Sequence, residues 1–202
     1  MENLINFIYL LTGDLGLTII VLTLGVKILM LPLSIKSKKT SLEQIEVNNQ
    51  IDEIKKKYKK NKRKLEEEVK KLQSESVKSI GGCFTQFLQI PVVSLLYITI
   101  NSISVEAATL LVPWVESIKL SDPFFIIPII YVMVSLLPTI VNLFKKENKE
   151  PMTVMNFLPA IFSFLITIKA PIALGLYFIT SGFFTFLEGE GFKLYSRKIG
   201  IN

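Results

Sequence analysis

Five long stretches of this chain carry almost no charge, and they decide what it can fold into. They cover residues 15–35, 80–105, 123–144, 151–168 and 170–187, about half of the 202-residue sequence, with Lys27 as their single charged side chain. A bilayer core of roughly 30 Å takes about 20 helical residues to cross. A helix satisfies its own backbone groups where no water is present to do so. The expected fold class is therefore all-α, a polytopic membrane protein with five transmembrane helices. A soluble enzyme, a nucleic-acid-binding domain with a nucleic-acid substrate and a disordered tail are all excluded.

Composition removes whole chemistries. The chain has no His, so it can build neither a Ser–His or Cys–His dyad nor an imidazole metal site. Cys83 is the one cysteine and cannot form an internal disulfide. There is no Gly-rich phosphate loop. No metal and no cofactor are expected. Residues 1–26 contain no Lys or Arg, so a leader with a basic start is not expected, and no early Cys offers a lipid attachment point.

Charge orients the spans. Of the 23 Lys and Arg, 14 lie in 36–79, three in 145–150 and three after residue 187. With five spans these three segments fall on one face of the membrane. Lys119 and Lys169 fall on the other, with Glu2, Asp14, Glu106, Glu116 and Asp122. The positive-inside rule then predicts the N-terminus outside and the C-terminus in the cytoplasm. Four spans would separate the basic loop from the basic tail.

The connecting segments have readable patterns. Residues 1–14 are apolar and short, stopping at Gly13, as in an interfacial helix on the outer face. Residues 36–79 lack Pro and Gly, and apolar residues recur at Leu42, Ile45, Ile51, Ile54 and Tyr58, then at Leu65, Val69 and Leu72. Between the two sets lies a run from Lys59 to Lys64 with no apolar residue. This predicts a cytoplasmic helical hairpin, against the alternative of one long solvated helix. Residues 106–122 form an outer loop around Pro113 and Trp114, with the Trp at the interface. Residues 145–150 form a cytoplasmic loop and 188–202 a cytoplasmic basic tail. Pro32, Pro91, Pro123, Pro128, Pro138, Pro159 and Pro171 lie at or inside span ends, which suits either a bundle bulging round a cavity or plain packing.

Each span carries a polar stripe at 100° per residue. The stripes are Thr23 with Lys27; Gln86, Gln89, Tyr97 and Asn101; Tyr131, Ser135, Thr139 and Asn142; Asn156, Ser163 and Thr167; and Tyr177, Thr180, Ser181 and Glu188. An unpaired amide or hydroxyl in hydrocarbon costs a few kcal/mol, so the stripes should face one another or water. Interhelical hydrogen bonding is the plain reading of any single stripe. Five stripes around a cation point to a hydrated groove. The candidate groove residues are Lys27, Thr23, Gln86, Gln89, Tyr97, Asn156, Ser163, Tyr177 and Ser181.

Lys27 is the sharpest feature. It stands about 18 Å along the helix from residue 15 and about 12 Å from residue 35. A Lys at mid-span costs about 3 kcal/mol on insertion scales. Snorkelling is the alternative account, since a Lys stem reaches part of the way to the headgroups. No Asp or Glu lies within a span, whereas ion-coupled transport usually uses one.

The order of motifs resembles the YidC-type membrane protein insertases of the YidC/Oxa/Albino superfamily. The resemblance covers nearly the whole chain. It rests on Gly13-Asp14-Leu15-Gly16 leading to Val26-Lys27-Ile28 and Leu31-Pro32-Leu33-Ser34, and on Gly81-Gly82-Cys83-Phe84 with Gln89-Ile90-Pro91 and Leu96-Tyr97. Ser121-Asp122-Pro123-Phe124, Met155-Asn156-Phe157-Leu158-Pro159 and Leu176-Tyr177-Phe178 with Ser181 complete it. Lys27 stands where bacterial members usually have Arg, and Thr85, Ser79 and Ala173 also depart from the family pattern. The chain thus resembles a minimal or divergent member.

The resemblance implies a groove closed to the outside and open to the cytoplasm and lipid. The groove receives the polar flank of a nascent membrane protein while the new hydrophobic helix passes into the bilayer. No bond is made or broken, so no enzyme is expected. It further implies nascent membrane proteins and lipid as partners, with the ribosome, a signal-recognition targeting receptor and the Sec translocase as further ones, and a monomer. A small transporter or channel, or an assembly subunit of a larger translocase, could use the same stripes. A rhomboid-like protease is excluded by the lack of His.

Overall fold

The computed structural model describes residues 2–58, 63–64, 68–70, 93–94, 96–98, 100, 108–144 and 157–199. The hairpin turn, most of its second arm, the start of the 80–105 span with Gln86 and Gln89, Asn101, the 145–150 loop, Asn156 and the last three residues lie outside them. Five helices are complete: α1 (Glu2–Thr12), α2 (Leu15–Lys57), α3 (Ile126–Phe144), α4 (Leu158–Thr167) and α5 (Ile172–Ile199). Residues 93–94, 96–98 and 100 are helical as well. Among the described residues there is no strand, only an isolated bridge between Ser121 and Pro171. Among the described residues three helices are long and apolar enough to cross a membrane: Leu15–Thr40, Ile126–Phe144 and Ile172–Lys198.

The chain divides into two compact units, residues 1–29 with 93–202, and residues 30–92. In the second unit the described part is chiefly the remainder of α2. Nothing in 36–57 breaks a helix, so α2 continues as far as Lys57, with Pro32 inside it. On its late turns Ile51 is buried and Ile54 and Tyr58 are half-buried, while Lys55 and Lys57 are exposed. This is the narrow apolar seam that 3/4 spacing produces.

The first unit is built around one end of its helices. Gly13 takes φ +67, the left-handed conformation that ends α1, and its N–H bonds to the Tyr9 carbonyl at 2.8 Å. The Thr12 and Thr18 hydroxyls then meet at 2.8 Å across the turn. Asp14 caps α2, accepting from the Leu17 N–H at 2.8 Å, the Thr109 hydroxyl at 2.8 Å and the Leu110 N–H at 2.7 Å. Asp122 does the same for α3, accepting from the Phe124 and Ile127 N–H groups at 3.0 and 2.8 Å and from the Trp114 indole at 3.0 Å. The carbonyls of Leu120 and Ile118 take the first N–H groups of α5, from Ile172 and Ala173, at 2.9 and 3.0 Å.

Segment 108–122 therefore satisfies N-terminal backbone donors of α3 and α5, and it is tied to the start of α2 through the hydrogen bonds that Asp14 accepts from Thr109 and Leu110. Its Val112, Val115 and Ile118 are buried with Leu15, Ile19, Leu96, Ile100, Ile127 and Ile172. Further along the helices the apolar side chains turn outward: Leu29, Met133, Phe144 and Leu165 are largely exposed. That distribution suits a lipid solvent, where exposed leucine is not penalised.

Asp14 gives a pH-dependent prediction. Burial pushes its carboxyl up, but hydrogen bonds from Leu17, Leu110, Thr109 and Gly16 together outweigh burial and hold it below its ordinary value of 3.8. A carboxyl depressed in the folded state contributes stability that is complete above its unfolded pKa and lost as pH falls through the folded one. Thermal stability of the detergent-solubilised chain should therefore drop on acidification below about pH 4. Asp14→Ala should cost about 2–4 kcal/mol at neutral pH and remove part of that acid-sensitive component. A variant melting like the parent chain would refute the cap.

Candidate functional site

α2 and α5 both begin at the end held by segment 108–122. Lys27 lies twelve residues past Leu15 and Thr185 thirteen past Ile172, so at about 1.5 Å per residue both stand some 18–20 Å along their helices. They meet there. The Lys27 ammonium donates to the Thr185 hydroxyl oxygen at 3.1 Å, and that hydroxyl donates onward to the Ser181 carbonyl at 2.8 Å. Lys27 is half-buried, and Thr185 is exposed. The ammonium is thus held about 18 Å along α2 on a polar acceptor of a neighbouring helix, with part of its surface accessible.

Ser181, which is 2% exposed, and Tyr177, 3% exposed, precede Thr185 by four and eight residues, so the three share one face of α5. Tyr177 meets Phe178 edge-on with ring centroids 5.5 Å apart. Phe178 in turn stacks on Tyr131 of α3 at 5.4 Å. Tyr131 hydrogen-bonds to Ser163 of α4, which is buried. These contacts bring Ser163 and Tyr177 into one aromatic and polar cluster joining α3, α4 and α5.

The other expected groove residues are placed differently. Thr23 is buried, and its hydroxyl donates to the Ile19 carbonyl of its own helix at 2.6 Å. Tyr97 is about half exposed, whereas Leu96 and Ile100 of the same helical stretch are buried. Gln86, Gln89 and Asn156 lie outside the described residues.

The stripes find a solution that the sequence reasoning did not weigh. Thr167 donates to the Ser163 carbonyl at 2.6 Å, Thr180 to Leu176 at 2.8 Å and Ser135 to Val132 at 2.8 Å. A hydroxyl one turn along can bond back to its own helix, which removes the cost of burial without a neighbour or water. Thr185 is the site residue that sequence reasoning missed. Extending the Tyr177–Ser181 stripe by four residues would have found it. In sequence Asp14 and Asp122 stand out as outer-face charges and as parts of family motifs; Asp before a helical run, followed by Pro in the case of Asp122, is also a cap signal.

The chain matches the 60Kd inner membrane protein family over residues 7–192. It is 30% identical over 188 residues to the membrane protein insertase YidC of Buchnera aphidicola, covering 92% of this chain and 35% of that protein. It is 32% identical over 181 residues to the YidC insertase of Cellvibrio japonicus, covering 88% and 32%. With that of Caldanaerobacter subterraneus it shares 29% identity over 190 residues, covering 93% and 89%. The chain thus spans about a third of the length of the first two relatives and most of the third.

Proposed function

This chain belongs to the 60Kd inner membrane protein family, and from that premise we propose that it is a membrane protein insertase. It is a multi-pass bacterial membrane protein whose described secondary-structure elements are helices. In our reading five helices span the bilayer, with the N-terminus outside, the C-terminus and the 36–79 hairpin in the cytoplasm, and the segment 108–122 on the outer side. The observation that carries the function is Lys27, a cation held about 18 Å along α2 against the Thr185 hydroxyl.

The proposed cycle uses no bond-making chemistry. The polar flank of a nascent membrane protein enters from the cytoplasm and meets the Lys27–Thr185 pair part-way across the bilayer. A polar environment at that depth shortens the hydrocarbon path and lowers the desolvation cost of the flank. The packed end under segment 108–122 limits leakage, because Leu15, Ile19, Leu22, Leu96, Ile100 and Ile118 leave a cavity of only about 10 Å³ there, barely room for one water. The hydrophobic helix of the client then partitions into lipid along the outside of the bundle. The lysine-rich hairpin and tail suit docking to the ribosome, a targeting receptor or anionic lipid, each basic contact near a membrane contributing about 1 kcal/mol. The Sec translocase is a further proposed partner, and the working unit is a monomer.

The test is reconstitution of the purified full chain, alone, into liposomes, with a short-tailed single-span client synthesised in their presence. The expected result is client resistant to alkaline extraction with its short tail protected from added protease. Solute flux without insertion would favour a channel. Insertion only after a larger translocase is added would make the chain an assembly subunit.

A further inference from the structure

Segment 108–125 combines two properties that a hydrated loop does not need together. Part of its backbone is paired with protein atoms: the Leu110 and Phe124 N–H groups donate to Asp14 and Asp122, those of Val115, Leu120 and Phe125 to carbonyls of the segment, and the Ile118 and Leu120 carbonyls accept from the start of α5. Water would satisfy these donors at no structural expense, whereas lipid cannot. The segment also presents large apolar side chains outward, among them Leu110, 84% exposed, and Phe124, 63% exposed, with Leu111 and Trp114 more than a third exposed. No charged residue lies between Ala107 and Val115.

These side chains cannot simply turn inward. The Leu110 N–H is held by Asp14 at 2.7 Å, and the Trp114 indole by Asp122 at 3.0 Å. Asp14 also joins this surface to α1, whose last turns expose Leu10, at 82%, and Leu11. The two apolar faces therefore meet at the Asp14 connection, directly beside the start of a membrane-spanning helix.

We propose that segment 108–125 and the exposed face of α1 form a single lipid-binding platform, submerged at the boundary between headgroups and acyl chains. The occupant is lipid because the surface is continuous with the apolar exteriors of α2 and α3, which begin at Leu15 and Ile126. The helix-capping network is what allows irregular backbone to sit at that depth. The inference is independent of the insertase reading.

Trp114 is the one tryptophan of the 202 residues, so the unaltered chain reports on this segment by its fluorescence. The full chain is reconstituted into vesicles of phosphatidylcholine brominated at shallow or deep acyl positions. Shallow bromines should remove more than about half of the emission and deep ones less, while aqueous iodide removes little, as for an interfacial aromatic. Moving the reporter, by Trp114→Phe with Leu110→Trp, should increase bromolipid quenching, since position 110 is the more exposed. Iodide quenching as strong as for free tryptophan, without bromolipid quenching, would overturn the proposal in favour of a hydrated loop. Protection from both quenchers that disappears on dilution with excess lipid would overturn it in favour of a second protein chain.

Discussion

Lys27→Leu should reduce insertion of clients with an acidic translocated flank about tenfold, while leaving clients with short uncharged flanks much less affected. At about 12 Å and an effective dielectric of about 20, two unit charges attract by about 1.4 kcal/mol, which corresponds to a tenfold effect. Lys27→Arg keeps the charge and should keep activity, although its planar fork holds Thr185 differently. Thr185→Val retains the cation but removes the acceptor that holds it at 3.1 Å. It should lower insertion only about two- to threefold, one neutral partner being worth well under the full charge, and Thr185→Ser should restore it. The empty bundle should be slightly stabilised by Lys27→Leu, by less than the roughly 3 kcal/mol of a fully buried lysine, because Lys27 is only half-buried. The measurement is insertion of the matched client pair in cells, with expression checked by blot. Equal insertion of both clients by Lys27→Leu and the parent chain would reduce Lys27 to a snorkelling side chain.

Gly175→Leu should be the most damaging change to the fold away from that site. α3 and α5 pack closely where Gly175 faces Ile127, and a Cβ added there would collide with the Ile127 side chain. One further contact of the same kind follows seven residues on, where a Cβ on Gly182 would come within 3.1 Å of Val134. Small residues are what let helices approach in lipid, where no hydrophobic force drives them together. Overpacking at such a contact costs about 3 kcal/mol, and the detergent-solubilised variant should melt correspondingly lower. Ile127→Ala in the same chain should recover part of the loss by opening the space. Gly191→Ala is the control: a Cβ there meets nothing within 4 Å, and the gain in helix propensity is worth up to about 1 kcal/mol. If Gly175→Leu melts with the parent chain, the α3–α5 packing described above is wrong.

The membrane class, the helical fold and the position of Lys27 could be read from the residues in order. Hydropathy is local and additive, and a bilayer demands about 20 apolar residues in succession, so such stretches declare themselves without a partner. Hydroxyl stripes were legible too, but their consequence was not. Whether Thr23 or Thr180 faces a neighbour or its own helix depends on a rotamer, and the carbonyl one turn back can accept the bond in place of either.

What only the tertiary structure decided is who meets whom across the chain. Lys27 and Thr185 are 158 residues apart in sequence and Asp14 and Thr109 are 95 apart. The pairing depends on two helices starting at a common level, and that level is set by segment 108–122. Local pattern carries the polarity of each residue, but not the depth and facing of the element it must reach. For this chain those were fixed by an aspartate-clamped turn, anchored by the buried Val112, Val115 and Ile118, whose residues look, one by one, like an ordinary loop.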